Sequence, residues 1–306
     1  MILLLKRKIL LIITGPTAVG KTDFAIEVAQ ALGTEIISAD SRQIYREMYI
    51  GTARPTDDQL QKVPHHMVAC RSIHEYYNAS LYEEEVIALL QKLFQQYDIV
   101  VLTGGSGLYI DAVCYGIDDL PTIDPAVRQH LAARLQTEGL AALQAELQQV
   151  DPVYYQTADL ANPKRVLKAL EVYTMTHRPY SSFLTRMPKK RMFDPIFVVL
   201  DLPRHELHQR IDTRVDQMIK AGLIAEAQTL YPFRHLNALN TVGYKELFEY
   251  FDGKYDLEQA IALIKRNTRR YARRQLTWFR KYENALWLQS QPPANLLHWI
   301  EQQRII

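Results

Sequence analysis

The chain has 306 residues, 48% of them apolar, which is enough for one large domain or for a core domain carrying a smaller one. Its 36 basic and 34 acidic residues leave a net charge of +2, so no global pull toward nucleic acid exists and a polyanion site has to come from clustering. Two cysteines, Cys70 and Cys114, exclude the paired framework of a small secreted domain and a C-x-x-C ligand pair.

In chain order, the first element is a strand over residues 9–14. Residues 1–14 are too short and lack the small-residue cleavage pattern of a signal peptide, and the stretch runs straight into Gly15. No run reaches the roughly 18 to 20 apolar residues of a membrane helix. The expectation is a cytoplasmic protein that meets no membrane. Next come a helix over 22–32 and a strand over 35–38, the order of a right-handed βαβ unit in a parallel sheet. Short β-branched runs at 99–103 and 196–200 predict two further buried strands. Between about 119 and 191 the texture turns helical, with periodic segments at 127–149 and 166–174 punctuated by Pro121, Pro125, Pro152 and Pro163. The remainder, from Pro203, is predicted mostly helical and ends in a basic, aromatic helix.

Gly15-Pro16-Thr17-Ala18-Val19-Gly20-Lys21-Thr22 fits G-x-x-x-x-G-K-[ST] in the required place, after a strand and before a helix. Backbone amides wrap phosphate oxygens in such a loop, Lys21 adds a positive charge, and the Thr22 hydroxyl can hold Mg²⁺. The fold class expected is α/β: a P-loop NTPase-like parallel sheet flanked by helices, with a helical insertion domain at 119–191 in a catalytic core of 1–118 and 192–306. Nucleotide hydrolysis, phosphoryl transfer and departure of a diphosphate all need the same loop, so it leaves the reaction open. Asp40 follows the second strand, at the carboxyl edge where open α/β sheets hold ligands. It can be a metal ligand, a general base, or only a helix cap.

The phosphate loop, Asp40-Ser41-x-Gln43-x-Tyr45, Ile50-Gly51-Thr52-Ala53-Arg54-Pro55, Val63-Pro64-His65-His66 and Gly104-Gly105-Ser106-Gly107-Leu108-Tyr109 together resemble the tRNA dimethylallyltransferase family. Farther on, Lys164-Arg165-Val166-Leu167-Lys168, Arg214-x-Asp216-x-Met218, Val242-Gly243-Tyr244-Lys245-Glu246 and Arg273-Arg274-Gln275-Leu276-Thr277-Trp278-Phe279-Arg280 match in the same order, so the resemblance spans nearly the whole chain. Ser106 replaces the threonine usual in that family and keeps its hydroxyl, Ala69-Cys70 stands where an acidic residue is usual, and His177 replaces a glycine.

The resemblance implies prenyl transfer from dimethylallyl diphosphate to N6 of an adenosine beside the tRNA anticodon, position 37. It implies Asp40 as the base, Ser106 hydrogen-bonding near the same centre, and Lys21, the loop amides, Mg²⁺ at Thr22 and Arg214 stabilising the leaving diphosphate. Arg suits that task because its planar fork meets phosphate bidentately; a surface ion pair with Asp216 or Glu206 is the bland alternative. The adenosine must leave its stack to reach Asp40. Gln43 has the amide chemistry to read an adenine edge. The same resemblance implies tRNA contacts at Asp40, Ser41, Arg42, Gln43, Ser106, Arg128, Lys164, Arg165, Lys168, Gly243, Tyr244, Lys245, Gln275, Trp278 and Arg280.

Lys265, Arg266, Arg269, Arg270, Arg273 and Arg274 recur along the last basic helix as a stripe expected to meet RNA phosphates. Tyr271, Trp278 and Phe279 either stack on bases or face the core, with core the stronger reading. His65-His66 lacks a third ligand, so no zinc site is expected. A small-molecule enzyme needs no cationic surface of this extent, and an RNA-binding ATPase lacks its acidic strand end, since the 99–103 strand runs into Thr103-Gly104-Gly105. A monomer is expected.

Overall fold

A computed structural model of the chain describes residues 8–185, 187–289 and 292–302. Part of the N-terminal stretch weighed as a leader, residues 1–7, lies outside the described residues. The strands are β1 (Ile9–Thr14), β2 (Ile36–Ser38), β3 (His65–His66), β4 (Ile99–Gly104), β5 (Asp194–Asp201) and β6 (Leu286–Gln289). They form a parallel sheet in the order β3-β2-β4-β1-β5-β6. This is the P-loop NTPase-like α/β fold that the phosphate loop predicts.

The sheet is buried on both faces because its strands alternate between two apolar layers. Leu10 and Ile12 of β1, Val100 and Leu102 of β4, and Phe197 and Val199 of β5 enter one core; Ile9, Leu11 and Ile13, Ile99 and Val101, and Val198 and Leu200 enter the other. Each such side chain contributes about 1.5–3 kcal/mol relative to exposure, which is why unbroken apolar runs were readable as strands. The edge strands β3 and β6 were not read. β3 has only two residues, and β6 has a single buried position, Leu288, so neither carries a periodicity.

Around the sheet lie α1 (Lys21–Leu32), α2 (Asp57–Lys62), α3 (Ala79–Leu93) and α4 (Gly107–Tyr115). The middle of the chain forms α5 (Pro125–Val150, broken at Gly139), α6 (Pro152–Thr157) and α7 (Pro163–Thr176). After β5 come α8 (Arg204–Lys220), α9 (Leu223–Leu230), α10 (Tyr244–Phe251), α11 (Leu257–Phe279) and α12 (Pro293–Gln302). Among the described residues no helix is long and apolar enough to cross a membrane.

The chain divides into two compact units, Met1–Cys114 with Lys190–Ile306, and Tyr115–Lys189. The second has its own small core of Leu131, Leu143, Leu147, Val166, Ala169 and Leu170. Its buried Asp151 caps α6 through the N–H of Tyr154 at 3.0 Å and accepts both the N–H and the hydroxyl of Ser181 at 2.7 Å.

In the first unit, the carboxyl ends of β1, β2 and β4 lie side by side, so three loops meet at one edge: the phosphate loop, the Asp40 turn and Gly104-Gly105-Ser106. Gly104 is obligatory there, because a Cβ would overlap the Ala39 carbonyl. That close approach lets Ala39 accept the N–H of Ser106 at 3.0 Å.

Candidate active site

The three loops line one cavity of about 820 Å³, together with residues of α8, α11 and the 51–55 segment. Thr17, Ala18, Gly20, Lys21 and Thr22 of the phosphate loop face it, and so do Asp40, Arg42, Gln43 and Arg214. Gly15, Pro16 and Val19 are buried and do not line it. Lys21 Nζ donates to the carbonyls of Gly15 at 2.9 Å and Pro16 at 2.8 Å. Burial first, and the Arg214 guanidinium second, lower its pKa to about 7, with Asp40 opposing. The site thus holds a cation it has partly desolvated, ready for an anion.

Asp40 sits in a tight turn in which its Oδ1 accepts the N–H groups of Arg42 at 2.9 Å and Gln43 at 3.3 Å. Its other oxygen makes no hydrogen bond among the described residues. One oxygen is therefore fixed by the backbone, and the second is left for a proton or a ligand. Ser106 Oγ accepts the N–H of Ser41 at 2.9 Å and bonds Ser41 Oγ at 3.1 Å, tying the β4 loop to this turn.

Arg214 lines the cavity, and burial pushes its guanidinium down while Asp40 opposes. The bland alternative, a surface pair, fails for its proposed partners: Asp216 pairs with Lys265 at 2.6 Å, and Glu206 lies 3.9 Å from His205. Arg210, one helical turn earlier, faces the same cavity and donates to the Val19 carbonyl at 3.4 Å. The i, i+4 spacing of Arg210 and Arg214 on a predicted helix was the signal for it, and it was missed.

Several residues read as RNA contacts are committed inside the protein. Tyr244 is fully buried, its hydroxyl donating to Glu226 at 2.6 Å, because the aromatic side chain fills the core under the 49–51 segment. Gln275 is buried as well: its Oε1 accepts the Thr17 N–H at 2.8 Å and its Nε2 donates to the Gly105 carbonyl at 2.9 Å. Arg42 Nη1 donates to the carbonyls of Asn237 and Ala238. Gly243 is held by Glu246, which accepts its N–H at 2.8 Å, and lines the cavity, whereas Lys245 is exposed.

The basic stripe on α11 splits in two. Arg269 is paired with Asp212, and Lys265 with Asp216, both acids on α8, so these cations hold helix to helix. Arg266, Arg270, Arg273, Arg274 and Arg280 are exposed. Phe279 is fully buried, and Tyr271 lines the cavity. Trp278 is partly exposed, covers Gly107 and carries the Lys281 ammonium 4.1 Å from its ring centroid. In the second unit, Arg128 pairs with Glu171 at 3.4 Å and Arg165 with Asp159 at 3.8 Å; Lys164 is exposed and Lys168 half-buried.

His65 and His66 point to different partners. His65 Nδ1 donates to the Val63 carbonyl at 2.7 Å, and His66 Nε2 lies 2.6 Å from Glu35. Among the described residues no three of His, Cys, Asp or Glu group as metal ligands.

The IPP transferase family model matches residues 43–282. A tRNA dimethylallyltransferase 2 of Parabacteroides distasonis is 50% identical over 296 residues, covering 97% of this chain and 99% of its own. Among solved structures, the tRNA isopentenylpyrophosphate transferase of Bacillus halodurans is 37% identical with a TM-score of 0.67, over 93% of this chain and 90% of that one. A eukaryotic dimethylallyltransferase acting on tRNA shares the fold, with a TM-score of 0.78 at 24% identity, over 97% of this chain and 78% of that one.

Proposed function

This chain belongs to the IPP transferase family and is a tRNA dimethylallyltransferase; on that premise we propose that it moves the dimethylallyl group of dimethylallyl diphosphate onto N6 of the adenosine at position 37, beside the anticodon. The observation that carries this reading is a carboxylate with one oxygen outside any hydrogen bond and a half-buried cation pair, Lys21 and Arg214, lining one cavity. An aromatic amine is a weak nucleophile, and a diphosphate leaves only when its charge is neutralised, so both ends of the reaction need help.

In this scheme the N6–C bond forms as the C–O bond to diphosphate breaks. Asp40 takes the N6 proton on its free oxygen, while the turn amides hold the other. Ser106 keeps that turn in place through Ser41. Lys21, Arg214 and the loop amides receive the departing diphosphate, and Arg210 extends the cationic wall. Apolar side chains in the same cavity, Val215, Met218, Leu223, Val242 and Ile264, offer room for a five-carbon chain.

Magnesium fits at the hydroxyl of Thr22, which faces the cavity and makes no hydrogen bond among the described residues; it would be held by Thr22 and diphosphate oxygens, and would supply further charge neutralisation. The exposed arginines of α11 suit the phosphates of a tRNA, whose anticodon loop is single-stranded and so releases one base at low cost. Mass spectrometry of bulk tRNA nucleosides from cells with and without this protein tests the proposal. N6-isopentenyladenosine is expected to disappear with the protein, and its persistence in cells lacking other such enzymes contradicts the assignment.

A further inference from the structure

Glu226 has no place in the chemistry above, yet its carboxylate gathers four donors. Oε2 accepts the N–H groups of Tyr49 at 3.1 Å and Ile50 at 2.7 Å; Oε1 accepts the Gly51 N–H at 2.9 Å and the Tyr244 hydroxyl at 2.6 Å. Three consecutive backbone amides converging on one group call for an acceptor-only side chain, which an ionised carboxylate is and an amide is not. Gly51 also lies flat against the Tyr244 ring, where a Cβ would come within 2.6 Å. The 49–51 segment is thereby pinned from two sides.

The next two residues carry this constraint into the cavity. Gln43 Nε2 donates to the carbonyls of Thr52 at 3.2 Å and Ala53 at 3.0 Å. Two carbonyl oxygens against one end of an amide require that end to be the NH₂ group. Gln43 lines the cavity in the same turn as Asp40, so the polar atom it has left for a ligand is the acceptor Oε1.

We infer that Glu226 is a positioning residue that, through the 49–53 segment, fixes Gln43 as an acceptor beside Asp40 and so selects a target base with an exocyclic amine over one with a carbonyl at the same position. The inference rests on the proposed tRNA reaction. Adenine presents N6–H donors to such an oxygen, whereas a 6-oxo purine sets carbonyl against carbonyl.

The test uses the full chain and two anticodon stem-loop RNAs, with adenosine or inosine at the target position, and reads their relative affinity. Wild type is expected to prefer adenosine by about tenfold or more, the size of one good base contact against the wrong base. Glu226→Gln should collapse the preference to about threefold or less while dimethylallyl diphosphate affinity stays within about twofold. In a Gln43→Leu background, which itself lowers the preference, Glu226→Gln should change nothing further. A Glu226→Gln protein that keeps the wild-type preference, or shifts it equally in both backgrounds, overturns the inference. Should Glu226→Gln not fold, Tyr244→Phe, which removes one of the four donors, is expected to lower the preference, and an unchanged ratio overturns the inference. A wild type that prenylates the adenosine RNA but binds both RNAs alike overturns this inference alone; a wild type that prenylates neither overturns the function beneath it.

Discussion

Gln275, in the basic helix α11, accepts the backbone N–H of Thr17 in the phosphate loop at 2.8 Å, although 258 residues separate them in sequence. Because its Nε2 also donates to the Gly105 carbonyl, one side chain ties α11 to both the phosphate loop and the loop after β4.

Gln275→Leu is therefore expected to strand one buried and one part-buried backbone group, lowering stability by about 1–3 kcal/mol. Donor affinity should fall at the same time, by about tenfold, since Thr17 loses the partner that sets the loop. Thermal unfolding and calorimetric titration with dimethylallyl diphosphate check both. Normal donor affinity in a destabilised variant would confine Gln275 to packing.

What the sequence revealed and what it hid follow from how local each signal is. The phosphate loop, the buried strands and the Asp40 turn are specified by neighbouring residues, and each stands where its pattern placed it. The fates of Arg269, Lys265, Tyr244 and Gln275 depend on Asp212, Asp216, Glu226 and Thr17, partners distant along the chain. A periodic row of arginines reads the same whether it faces RNA or an acidic helix. Only the fold supplies α8 opposite one side of α11. β6 was hidden for a related reason: an edge strand with one buried residue has no alternation to detect.

The pKa of Lys21 near 7 sets a pH dependence for donor binding. Below that pH the ammonium is already charged; above it the empty site holds the neutral amine, and the diphosphate has to draw in a proton. Affinity should weaken as pH rises above about 7, by up to tenfold per unit until the pKa of the complex is reached. Titrations at about pH 8 in two buffers of different ionisation enthalpy should show uptake approaching one proton, lost in Lys21→Met. Equal enthalpies in the two buffers would contradict this.

Charge changes on α11 should separate its two sides. Arg270→Gln and Arg273→Gln are each expected to reduce the slope of log affinity for tRNA against log salt by about 0.7–0.9. Arg269→Gln, which breaks the pair with Asp212, should leave that slope nearly unchanged and act on stability, by about 0–1 kcal/mol as befits a partly exposed pair. A slope change at Arg269 as large as at Arg273 would show that the pair opens on RNA.

Asp40→Asn preserves the shape of the turn, because an amide oxygen still accepts from Arg42 and Gln43. It cannot take the N6 proton. The single-turnover rate should fall about a hundredfold or more with tRNA affinity within about twofold. A variant keeping a third of the wild-type rate would remove Asp40 from the base role.

The most direct measurement gives purified protein radiolabelled dimethylallyl diphosphate, Mg²⁺ and a tRNA transcript with adenosine beside the anticodon, and follows label into RNA alongside phosphate release from ATP. Stoichiometric label should appear at N6 of that adenosine, with free diphosphate as the other product and no steady ATP hydrolysis. Label that stays in the donor while ATP is consumed, or that passes to free adenosine monophosphate and never to tRNA, would contradict the account.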